Sequence, residues 1–85
     1  MKSEKILHIL EKPKAKTYYK IVEDKDDPWF IYIQKIDKKT KEIQKNSMII
    51  AKDLESQLKL IKSDGWEETS EEQLTYNIKN QQDRK

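Results

Sequence analysis

Between Thr17 and Ile50 the chain carries three strand-forming runs parted by two polar turn clusters, and that pattern narrows the folds open to it. Thr17 to Glu23 and Trp29 to Asp37 are rich in aromatic and β-branched residues, which suit a pleated, half-buried surface. Asp24-Lys25-Asp26-Asp27-Pro28 separates them, and Pro28 has no N–H to give to a ladder. Asp37-Lys38-Lys39-Thr40-Lys41 turns the chain again, and Glu42 to Ile50 returns. Two successive hairpins make a three-stranded antiparallel meander. Trp29 to Asp37 is apolar on both faces, which predicts the central strand. Hairpin loops of this kind favour glycine at their left-handed position. Lys41 stands at a candidate position, so the turn is either strained or longer.

A helix follows. Ala51, Leu54, Leu58 and Ile61 recur at helical spacing, and Asp53 and Glu55 suit the positive end of the helix dipole. Gly65, the only glycine, stands where a left-handed residue closes a helix, with Ile61 and Trp66 placed to touch across the cap. The spacing therefore predicts a helix ending at Asp64.

The two ends of the chain read less simply. Ile6, Leu7, Ile9 and Leu10 fall within an arc of about 160° on a helical wheel, which favours a short helix over a strand. Ser70 with Gln73 three residues on is a capping-box signature. Leu74, Tyr76 and Ile78, however, alternate as in a strand, so the element at 71–79 is left open. The expected fold is α+β, ordered α-β-β-β-α, with helices on one face of the sheet. The expected unit is a single small domain over residues 1–80, with 81–85 a frayed polar tail.

Pairing Glu23 with Trp29 and Ile36 with Ile43 assigns the sheet two faces. Tyr19, Ile21, Trp29, Ile31, Ile33, Met48 and Ile50 make the face expected under the helix stripe. The other carries Tyr18, Lys20, Val22, Phe30, Tyr32, Gln34, Ile36, Ile43, Lys45, Ser47 and Ile49. So many large apolar groups on a solvated face point to burial by a partner or by the chain's own termini. The candidate partner-binding residues are Tyr18, Lys20, Phe30, Tyr32, Ile36, Ile43, Lys45 and Ile49.

Charge narrows the partner. The chain has 18 basic and 16 acidic residues, and every base but Arg84 is lysine. Lysine is a mobile point charge, whereas bidentate reading of a base edge favours arginine, so sequence-specific DNA recognition is disfavoured. Lys35, Lys38, Lys39, Lys41 and Lys45 outnumber Asp37 and Glu42 around the second turn and are candidate phosphate contacts. Glu23 to Asp27 and Asp64 to Glu72 are acidic stretches.

Catalysis is hard to assemble from one histidine, one glycine and no cysteine, with no phosphate-cradling loop or nucleophile elbow. Asp24, Asp26 and Asp27 lack the spaced ligands and closing glutamate of a calcium loop. His8 has no second histidine to share a metal. No cofactor, metal or small-molecule substrate is indicated. The apolar patch after Met1-Lys2-Ser3-Glu4-Lys5 is too short for a signal peptide, which predicts a cytoplasmic protein.

The order helix, three strands, helix is similar to that of the double-stranded-RNA-binding domain. That family's second helix opens on lysines that hold phosphates, whereas Ile50-Ala51-Lys52-Asp53-Leu54-Glu55 places acids there. The expectation is a non-enzymatic protein-binding module, most simply a homodimer. Lysine and isoleucine richness tracks AT-rich coding DNA and fits an accessory or inhibitory protein of a phage or other mobile element. The alternative is a non-sequence-specific nucleic-acid binder using the aromatic and lysine face.

Overall fold

The computed structural model describes residues 5–83, with side chains over 5–79. Strands β1 (Lys5–Glu11), β2 (Thr17–Glu23), β3 (Phe30–Asp37) and β4 (Ile43–Ile50) form an antiparallel meander. A 3-10 turn, Ala51–Asp53, leads into helix α1 (Leu54–Ser63). A short strand β5 (Glu67–Thr69) then adds to β1, and helix α2 (Glu71–Asp83) ends the described chain. The sheet order is β4-β3-β2-β1-β5. The fold is α+β, with one antiparallel sheet between two helices. Positions 1–4 and 84–85 lie outside the described residues, while α2 continues through Asp83 into the stretch expected as a frayed tail.

The first apolar patch is a strand, not the expected helix. Its residues touch both sides of the sheet: Leu7 and Leu10 join the core under α1, while Ile6 and Ile9 join the core under α2. The spacing of three arises from a bulge, since Ile6 faces Val22 and His8 faces Ile21, leaving Leu7 as the extra residue. A bulge resets the alternation by one position. A buried, bulged strand therefore leaves the same short imprint as one turn of helix.

The helices also lie on opposite faces, where a single face was expected. Leu54, Leu58 and Ile61 of α1 pack over Leu10, Ile21, Ile31 and Ile33. Leu74 and Ile78 of α2 pack over Ile9, Tyr18 and Ile36. Leu10 and Ile21 are fully enclosed. Burial of such side chains stabilises by about 1.5–3 kcal/mol each.

The end of α1 follows its sequence signal, and at the start of α2 one of two conflicting signals prevails. Gly65 sits at φ +99, and its N–H donates to the Lys62 carbonyl at 3.0 Å, closing α1. Ser70 Oγ accepts the Gln73 N–H at 3.1 Å, capping α2. That bond decides the conflict at 71–79 for a helix, which turns Leu74 inward and leaves Tyr76 exposed. Trp66, just past the glycine, packs edge-on to Tyr19 with ring centroids 4.7 Å apart. Among the described residues no helix is long and apolar enough to cross a membrane.

Candidate functional site: a half-covered sheet face and an open edge

The β2–β3 hairpin pairs Ile21 with Ile33, two residues from the expected partner Ile31. A shift of two preserves facing, so Tyr18, Lys20, Val22, Tyr32, Gln34 and Ile36 do share one side. The β3–β4 hairpin behaves differently. Ile36 pairs with Ile43 as expected, but a bulge follows, and Lys35 then faces Lys45. Beyond it Ile31 meets Ile49 instead of Met48, and Phe30 meets Ile50. A one-residue slip reverses every side chain beyond it. Ile49 accordingly packs into the α1 core, and Lys45 lies on that side of the sheet. Met48 and Ile50, expected in the core, emerge on the opposite face.

Helix α2 covers half of that opposite face. Tyr18 and Ile36 are buried there with Ile9 and Leu74. Burial first, and the Glu71 carboxylate second, hold the Tyr18 phenol above its ordinary pKa. Lys20, Phe30 and Tyr32 are half-buried beyond the helix. The Tyr32 hydroxyl donates to Asp24 Oδ2 at 2.9 Å. The backbone N–H of Asp26, then that hydroxyl, keep the Asp24 carboxyl below its ordinary value. An acid on the ring's polar tip makes Tyr32 a poor platform for phosphate-bearing bases.

The uncovered half runs to the sheet edge. Among the described residues β4 pairs with β3 alone, and none of its eight residues is buried. Trp29 at 67%, Met48 at 57%, Ile43 at 53% and Ile50 at 42% stand out as exposed large side chains on and beside this strand. The Trp29 carbonyl accepts the Ala51 N–H at 2.6 Å, which fixes the tryptophan's backbone beside the end of β4. Trp29 was missed as a surface residue because it was counted into the strand that begins at Phe30, and Met48 and Ile50 because Met48-Ile49-Ile50 is apolar at both parities. Only the bulge decides which of the three faces inward.

The candidate phosphate contacts separate. Lys38 is buried, its ammonium donating to Glu11 Oε2 at 2.9 Å and to the Lys12 carbonyl at 3.0 Å. Lys35 and Lys45 stand opposite each other on the α1 side. Lys39 and Lys41 are exposed at the turn. Lys41 adopts φ +66, the strained one of the two alternatives expected for this turn. Asp37 organises this turn by accepting the N–H groups of Lys39 and Thr40, at 2.7 and 2.9 Å, and these bonds hold its carboxyl below its ordinary value. Asp24 and Asp27 do similar work in the first turn, accepting the N–H groups of Asp26 and Trp29.

No protein-family model, curated protein or solved structure matches the chain.

Proposed function

We propose that the chain is a non-catalytic protein-binding module that works through the β4 edge, and that its partner is a second copy of itself. The observation that carries this reading is the state of β4. An unpaired edge strand offers a row of backbone donors and acceptors to another strand, and proteins usually blunt such edges with charge, proline or a twist. Here the bulge disturbs only the start of β4, and Lys45 is its one charge. From Asn46 to Ile50 the edge is uncharged, and Met48 and Ile50 are exposed along it.

Self-pairing suits this edge. An antiparallel pairing centred on Met48 sets the two methionines against each other and brings Ile50 and Trp29 of each copy beside them. The two Lys45 side chains then lie at opposite ends of the pairing, roughly 20 Å apart at about 3.4 Å per residue. A net charge of only +2 offers little repulsion between copies. The composition remains in keeping with a small accessory protein of a mobile element.

Sedimentation at micromolar concentration tests the reading. The wild type should be a dimer, and Met48→Lys, which alters no buried contact, should be a folded monomer. A wild type that is monomeric throughout this range overturns self-pairing.

A further inference from the structure

The end of the sheet opposite the acidic first turn gathers lysines that the sequence scatters over three elements. The β1–β2 connection supplies Lys14 and Lys16, the β3–β4 turn Lys39 and Lys41, and α2 Lys79. All five are exposed. They rim two adjoining clefts that share Lys38, Lys39 and Ile78. The larger, of ≈ 500 Å³, lies between the two loops over Pro13, Ala15 and Ile78. The smaller, of ≈ 220 Å³, opens toward Thr75 and Lys79. Among the described residues Asp37 is the one carboxylate lining either, and its oxygens already accept two backbone N–H groups and the Gln44 amide.

Lys41 adds an independent observation. A side chain at φ +66 is strained, and glycine or asparagine would relieve the turn. Its ammonium lies 5.4 Å from the Tyr18 ring centroid. That contact is of the same order as the backbone cost and leaves no structural surplus. The strained position thus holds a cation at the rim of a basic cleft.

We propose that this pole binds the phosphate backbone of duplex nucleic acid without regard to sequence. Among the described residues no aromatic side chain lines either cleft, so none of them would stack there on unpaired bases. The cations are lysines, which hold phosphates as point charges and do not read base edges as arginine does. The two loops are joined by Lys38, whose N–H donates to the Lys16 carbonyl at 2.9 Å and whose ammonium donates to the Lys12 carbonyl at 3.0 Å, so their exposed lysines form one continuous basic rim. The site lies apart from the β4 edge and does not depend on self-pairing there.

Fluorescence anisotropy with a labelled short DNA duplex of arbitrary sequence tests the proposal, with single-stranded DNA and polyglutamate as the other probes. Duplex affinity should fall with salt at a log–log slope of about −4, as four or five phosphate contacts require. Lys41→Asn should weaken binding about threefold to tenfold at low salt and make the slope shallower by about one. Its thermal midpoint should hold or rise, which separates a lost contact from a damaged fold. Lys39→Gln with Lys79→Gln should weaken binding further. The proposal is overturned by the absence of duplex binding at low salt, by affinity unchanged in these variants, by preference for single strands, or by binding to polyglutamate alone.

Discussion

Lys38 and Glu11 form an ion pair at 2.9 Å with side chains only 7% and 6% exposed. Asn77 of α2 donates to the other Glu11 oxygen at 2.9 Å, so the pair joins β1, the β3–β4 turn and α2 in one network. Such a pair stabilises little against a well-packed apolar replacement, but breaking it leaves a charge buried without its partner. Lys38→Met should therefore cost about 3–5 kcal/mol in urea denaturation. Combining it with Glu11→Leu should recover much of that loss. Additive losses in the double mutant would show that the two groups do not act as a pair.

Gly65 closes α1 at φ +99, where a β-carbon is strained whatever the space around it. That carbon would lie 3.3 Å from Lys12 Cε, near the end of a flexible side chain that can move aside. The backbone term should thus dominate, and Gly65→Ala should destabilise by roughly 1 kcal/mol. A stabilised variant would mean that the helix can extend through this position.

The order of the middle strands, the α1 stripe and the end of α1 were legible because each rests on a local signal. Turn clusters bound the strands and Gly65 ends α1, whereas the Ser70 cap competed with the alternation of Leu74, Tyr76 and Ile78, which left the element at 71–79 open. What was not legible depends on parity. The bulges at Leu7 and beside Ile43 each add one residue, and nothing in the composition of either stretch announces it. The first made a buried strand resemble a helical turn. The second exchanged Ile49 for Met48 and Ile50 and so moved the candidate surface to the sheet edge. The burial of Lys38 was hidden for a different reason. Its partner Glu11 is 27 positions away, and only the assembled sheet brings them together.

Three carboxyls are held below their ordinary values by hydrogen bonds formed on folding. Backbone N–H groups of Thr40 and Lys39 act on Asp37, the Asp26 N–H and then the Tyr32 hydroxyl on Asp24, and the His8 side chain and then Lys62 on Glu68. For a lowered folded pKa, the stabilisation is complete above the unfolded value and is lost as pH falls through the folded one. The urea midpoint should therefore decline as pH drops below about 4. Asp37→Asn retains an accepting oxygen for the turn, so it should flatten part of that decline. An identical acid limb in the variant would remove Asp37 from the account.

Leu74 is the main apolar anchor of α2, 3% exposed and packed against Ile9, Tyr18 and Ile36. Leu74→Ala should cost about 2–5 kcal/mol if the whole fold senses the cavity. α2 is also the last helix of the described chain, so its loss can remain local, with the sheet and α1 intact. The Tyr18 phenol distinguishes these outcomes, because burial and the Glu71 charge together raise its pKa. A raised folded pKa means that this stabilisation is complete below the ordinary value of 10.0 and is lost as pH rises through the folded one. The wild type should therefore loosen α2 in alkali. In Leu74→Ala, phenolate absorbance should show one tyrosine titrating earlier, and Tyr18→Phe in the same background should remove it. If the titration is unchanged while far-UV helicity falls, some other part of the chain buries Tyr18. An earlier titration with near-native strand signal would show that α2 is a separable cover, and that undocking it extends the exposed face from Met48 to Tyr18.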